Sequence, residues 1–188
     1  MRVILSGGGT GGHIYPAVSI AKEIKHQHKD AEILFIGTER GLESSILPKE
    51  GFKLMKIKVR GFRRKLSFEN IAAVAESFTG IFKVSKIIKD FKPDVVIGTG
   101  GYVSGSVLLA AALMSIPTLI HEQNAFPGVT NKILARLVDT IAVNFDEAKK
   151  YLPGNDKEIV TGNPIRSSML SISKEEGLKE FGFDPELP

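Results

Sequence analysis

At 188 residues, 43% hydrophobic and 24% charged, the chain has the size of one domain with the beginning of a second, and it can bury a sizeable core. It contains no cysteine, which excludes disulfides and thiolate metal sites and is compatible with a reducing cytoplasm. The formal charge of +4 permits attraction to phosphates or anionic lipid heads without demanding either.

Met1-Arg2 runs directly into Val3-Ile4-Leu5, so nothing at the start resembles a signal peptide. No apolar run reaches the ~18 residues that a spanning helix needs. In chain order, the segments Arg2–Ser6, Glu32–Ile36, Lys53–Val59, Asp94–Ile97, Thr118–His121, Thr140–Asn144 and Glu158–Thr161 read as strands. Leu34-Phe35-Ile36 and Val95-Val96-Ile97 are apolar at consecutive positions, as parallel strands covered on both faces should be. Helical patterns lie between them. Ala17, Ile20, Ala21, Ile24 and His28 form one stripe, Phe68–Phe91 a longer one, and Gly105–Met114 a helix of small residues. Such alternation predicts an α/β fold with a doubly wound, Rossmann-like parallel sheet that binds ligands at the carboxyl ends of its strands. The polar stretch Lys174–Pro188 reads as a way out of the domain, with residues 1–163 as the domain and 164–188 as linker or the start of another.

Three segments at predicted strand ends carry the chemistry. The first strand delivers Ser6-Gly7-Gly8-Gly9-Thr10-Gly11-Gly12-His13, and a helix follows with Pro16 in its first turn, where a missing N–H costs little. Glycines here present bare amides at a helix N-terminus and favour an anionic group. Gly7, Gly9 and Gly12 also satisfy the dinucleotide pattern G-x-G-x-x-G, but that pattern wants an acidic residue ending the second strand. Asp30 precedes that strand and Glu39 comes too late. A second glycine loop, Gly98–Gly105, follows the Asp94–Ile97 strand, and a third segment, His121-Glu122-Gln123-Asn124, follows the next one. Taken singly, each glycine loop is equally a tight turn, and the third segment a satisfied polar loop. Together they suggest the walls of one crevice.

These segments resemble the MurG family of glycosyltransferases. Gly8–His13 with Pro16 matches its GGTGGH loop, Gly100–Gly105 its GGYVSG, His121–Asn124 with Gly128 and Asn131 its HEQN and G-x-x-N, and Gly162–Arg166 its GNPxR. The resemblance runs from about Val3 to Arg166, and Ser106 departs from it where the family usually has proline. It implies the N-terminal half of a two-domain GT-B enzyme of peptidoglycan biosynthesis, an inverting hexosyltransferase. Its donor is UDP-N-acetylglucosamine and its acceptor undecaprenyl-linked N-acetylmuramyl-pentapeptide, with the sugar's 4-hydroxyl as nucleophile. It further implies no cofactor, no essential metal and no nucleic-acid partner. The enzyme would sit peripherally on the cytoplasmic face of the bacterial plasma membrane. The donor-binding domain would lie outside this chain, leaving a fragment inactive alone.

Such a reaction needs a base for the hydroxyl and stabilisation of the leaving diphosphate. His13, at a helix start whose positive end should keep an imidazole neutral, is one candidate base; Glu122 is the other, and a purely capping role for His13 stays open. The resemblance assigns Thr10, Gly11, Gly12, Asn124 and Arg166 to the donor, the last suited to a bidentate phosphate contact. It assigns Tyr102, Ser104, His121, Gln123 and Asn131 to the acceptor. His26 and His28, on a polar helix end, read as solvated.

Residues 60–68 mix Phe62 and Phe68 with Arg63, Arg64 and Lys65, and Ile71, Phe78, Ile81 and Phe82 continue at helical spacing. That composition suits contact with an anionic membrane surface; the competing reading buries the stripe on the sheet, for which Val74, Ile87, Ile88 and Phe91 suffice. Two other function classes stand beside the glycosyltransferase. One is an NAD(P)- or FAD-dependent oxidoreductase domain, the other a non-catalytic membrane-docking subunit of a split transferase.

Overall fold

A computed structural model describes residues 1–39, 41–59, 68–153, 156–166 and 173–183, with side chains described for all of these except 68–79. Strands β1 (Arg2–Gly7), β2 (Glu32–Thr38), β3 (Lys53–Ile57), β4 (Val95–Gly100), β5 (Thr118–Glu122), β6 (Thr140–Val143) and β7 (Glu158–Val160) form one sheet. Its order is β3-β2-β1-β4-β5-β6-β7, and every neighbouring pair is parallel. Helices α1 (Gly11–Gln27), α2 (Glu43–Lys49), α3 (Phe68–Phe91), α4 (Tyr102–Leu113), α5 (Val129–Leu134) and α6 (Lys174–Glu180) complete it, with a 3-10 turn at Asp146–Tyr151.

The doubly apolar strands explain the layering. Successive side chains of a strand point to opposite faces, and here both faces are covered. Val3, Leu5, Ile33 and Phe35 join α1 and α2 residues such as Ile14, Val18 and Leu47 in one core. Ile4, Leu34, Ile36, Val96 and Ile120 join α3 and α4 residues such as Val84, Ile88, Val107 and Leu108 in the other. Each large aliphatic or aromatic side chain fully buried this way contributes about 1.5–3 kcal/mol.

The sheet runs outward in both directions from β1 and β4, so the sequence order reverses between them. This is the switch point at which doubly wound sheets open a crevice. Three differences from the sequence reading fall here. β4 continues past Ile97 to Gly100, because Gly7 of β1 pairs with Gly100 across a register shift after Ser6. α1 begins inside the glycine run at Gly11, and α4 begins at Tyr102, three residues earlier than its apolar pattern. At the other end, α6 is closed by a capping box between Ser173 and Glu176 but buries none of its residues.

Candidate functional site

The loops after β1, β4 and β5 are neighbours because those strands are neighbours. Their glycines let two of them interlock. Gly101 holds φ +83°, and a Cβ there would strike the Gly8 carbonyl oxygen. A Cβ on Gly100 would lie 2.7 Å from His13 Nδ1. Thr99 Oγ1 donates to the His13 carbonyl at 2.7 Å, stitching the second loop to the first turn of α1.

His13 stands at the junction, half-buried. Its Nδ1 lies 3.0 Å from the Thr99 carbonyl oxygen and 3.2 Å from Gln123 Oε1. A carbonyl oxygen only accepts, so Nδ1 carries a proton, and Nε2 is the nitrogen that holds the lone pair whenever the ring is neutral. The same logic fixes Gln123. Its Nε2 donates to the His121 carbonyl oxygen at 3.0 Å and to His121 Nδ1 at 3.0 Å. His121 therefore carries its proton on Nε2, which donates to the Gly162 carbonyl oxygen at 3.0 Å. Burial holds the His121 pKa below the usual imidazole value, against the opposing effects of the Gly162 bond and the Glu122 charge. A chain of fixed donors and acceptors thus runs from Gly162 through His121 and Gln123 to His13.

Glu122 sits 1% exposed at the end of β5. Its Oε1 accepts from Asn124 N and Asn124 Nδ2, both at 2.9 Å. Its Oε2 accepts from Gly128 N at 3.1 Å and Asn131 Nδ2 at 2.8 Å. A buried charge is tolerated only with such partners, and their positions make Glu122 the clamp of the loop from 122 to 131. Asn131 Oδ1 is buried with no protein donor.

The residues expected from sequence divide by exposure. Thr10, Gly12, Tyr102 and Asn124 are exposed, and Gly11, His13, Gln123 and Arg166 are half-buried. Ser104, His121, Glu122 and Asn131 are buried. Ser104, His121 and Asn131, expected at the acceptor site, thus have their side chains turned inward. Ser104 Oγ is spent on the Gly101 carbonyl at 2.9 Å, and the other two brace the β5 loop. Arg166 stacks its guanidinium on the Tyr15 ring, 4.4 Å from its centroid, at the first turns of α1. Phe62, Arg63, Arg64 and Lys65 lie outside the described residues, as do the side chains of Phe68, Ile71 and Phe78. Of the remaining patch residues, Phe82 is 78% exposed, whereas Ile81 packs against the core.

Two residues escaped the sequence reading. Tyr15 supplies the platform for Arg166. Glu43 is buried beneath the first glycine loop, where its Oε1 accepts from Thr38 N at 2.9 Å and Thr38 Oγ1 at 2.8 Å, and its Oε2 from Gly9 N at 3.1 Å. Burial raises its pKa, but the hydrogen bonds from Thr38 and Gly9 outweigh that, and the net shift is downward. Gly9, the second glycine of the G-x-G-x-x-G pattern, thereby gives its amide to a carboxylate where a dinucleotide loop brings bare backbone against a pyrophosphate. Among the described residues, no group of three histidines or carboxylates could hold a metal ion, and no helix is long and apolar enough to cross a membrane.

Residues 3–143 match the glycosyltransferase family 28 N-terminal domain. A protein of Caldanaerobacter subterraneus subsp. tengcongensis is 57% identical over all of this chain and 52% of its own length. One from Acetivibrio thermocellus is 58% identical over all of this chain and 51% of its own. Both are named UDP-N-acetylglucosamine--N-acetylmuramyl-(pentapeptide) pyrophosphoryl-undecaprenol N-acetylglucosamine transferase. The chain thus spans about half the length of the curated relatives it matches. Among solved structures, Acinetobacter baumannii MurG superposes with a TM-score of 0.74 at 32% identity, over 86% of this chain and 46% of that one. The UDP-GlcNAc 2-epimerase of Neisseria meningitidis, bound to UDP-GlcNAc, superposes with a TM-score of 0.66 at 18% identity, over 99% of this chain and 55% of that one, and shares the fold.

Proposed function

The chain belongs to glycosyltransferase family 28, and from that membership we propose that it is the acceptor-facing half of an inverting N-acetylglucosaminyltransferase. The donor is UDP-GlcNAc and the acceptor an undecaprenyl-linked N-acetylmuramyl-pentapeptide, as the names of its relatives suggest. The donor-binding half lies outside this chain.

The observation that carries the reading is the orientation of His13. With Nδ1–H committed to the Thr99 carbonyl and Gln123 Oε1, Nε2 is the ring's proton acceptor. It takes the proton of the sugar's 4-hydroxyl as that oxygen attacks the anomeric carbon. The bond to UDP breaks on the opposite face. Glu122 is the weaker candidate, because both its oxygens already accept hydrogen bonds within the loop. Thr10, Gly11, Gly12 and Asn124 face the donor from this side of the cleft. Arg166, braced on Tyr15, meets the departing diphosphate. Tyr102 and the exposed edge of the β5 loop meet the acceptor. Docking to an anionic membrane at the cytoplasmic face runs through the basic and aromatic segment 60–68 and the exposed Phe82.

Replacing His13 with alanine in the full-length enzyme tests the assignment. A general base is worth about 10²–10⁴ in rate, so kcat for transfer of labelled N-acetylglucosamine should fall by that factor with donor KM little changed. A variant within tenfold of the parent would remove His13 from the role.

A further inference from the structure

Beneath the first glycine loop lies an ionised group that the proposed reaction does not use. Glu43 is fully buried, begins α2, and spans two elements, holding Thr38 at the end of β2 with one oxygen and Gly9 with the other. Room for it is made by glycines from three places in the chain. A Cβ on Gly8 would lie 2.6 Å from Glu43 Oε1, one on Gly37 would lie 2.6 Å from Glu43 Cγ, and one on Gly41 would collide with the carboxylate. Gly8 is therefore confined on two sides, by Glu43 and, through its carbonyl, by Gly101. Gly101 in turn follows Gly100, which packs on the His13 ring.

From these contacts we propose that Glu43 is a positioning residue for the candidate base. Its carboxylate sets the height of the Gly8–Gly9 backbone, that backbone sets Gly100–Gly101, and these seat the His13 ring. The carboxylate suits the task because it accepts on both oxygens at once. Glutamine has one acceptor oxygen and would aim an N–H₂ at either Gly9 N–H or the Thr38 donors. Aspartate keeps the charge but is one methylene short of spanning both partners. Gly9 itself is exposed, so its amide is protected from solvent exchange only by the bond to Glu43.

The function of the seat rests on His13 being the base, but the geometry can be tested without turnover. Labelled 188-residue chain is examined by NMR, following amide exchange at Gly9, backbone shifts at Gly101 and the His13 ring resonances. Ala142 and Val143 on β6 report whether the fold is intact. In the parent chain Gly9 should exchange slowly. In Glu43→Gln it should exchange at least tenfold faster, with Gly101 and the His13 ring shifted and β6 unchanged. Glu43→Asp is read the same way if the glutamine variant does not fold. A parent Gly9 amide that exchanges like open backbone overturns the proposal without any variant. So does a perturbation that stops at Gly9 and leaves the His13 ring where it was. If the seat behaves as described while His13→Ala retains turnover, the base assignment fails and the positioning stands.

Discussion

Exchanging Glu122 for glutamine keeps the side chain's shape and removes its charge, and the geometry of the β5 loop sets the cost. The carboxylate accepts from two donors on each oxygen, the Asn124 pair on one side and the Gly128 and Asn131 pair on the other. A glutamine keeps one pair and turns an N–H₂ against the other. Two hydrogen bonds to a charged group are lost, at about 1.5–3 kcal/mol each, so the variant should be about 3–6 kcal/mol less stable. Typical domains hold only about 5–15 kcal/mol in total, and the loss should be plain in urea unfolding of the parent and variant chains. The midpoint should move sharply with the slope unchanged. A loss below about 1 kcal/mol would refute the reasoning. If such a stable variant were also inactive in the full-length enzyme, Glu122 would replace His13 as the candidate base.

Gly101→Ala places a side chain at φ +83° against the Gly8 carbonyl. With ψ at 162° the backbone lies in a region essentially reserved for glycine, which costs a residue with a Cβ about 1–3 kcal/mol, and the collision adds to it, so thermal unfolding should shift downward by several degrees; an unchanged midpoint would show that the loops do not interlock. His121 is buried with its pKa below the ordinary 6.5. As pH falls below that value the unfolded chain takes up a proton that the folded chain resists, so stability is full above it and declines toward acid. Urea titrations at pH 8, 6 and 5 should show the decline, and His121→Asn should flatten it. Phe82→Glu alters a side chain that is 78% exposed and should weaken binding to anionic vesicles without changing the melting temperature; equal binding by both forms would remove α3 from the membrane contact.

Most of the framework was legible because it rests on local patterns. Runs such as Leu34-Phe35-Ile36, alternating with helical stripes, fit strands covered on both faces, and the glycine loops fall where those strands end. What sequence left open was which polar residues face the ligand and which hold the loops in place. His121 and Glu122 remain inside β5, where loops cover them, His121 bonded to Gly162 and Gln123 and Glu122 to the loop that ends at Asn131. Both are buried for that reason, while Asn124, two residues later, is exposed. Reading His121–Asn124 as one polar cluster at a strand end hid that division. Glu43 was harder still, because Gly9 lies 34 residues from it in sequence and Glu43 follows Glu39 and Arg40 like any surface charge. Its signal was the company of Gly37 and Gly41, where a Cβ on either would meet the Glu43 side chain. A carboxylate ringed by glycines marks a place where the backbone has been cleared for a charge, and here that charge lies under the loop that carries His13.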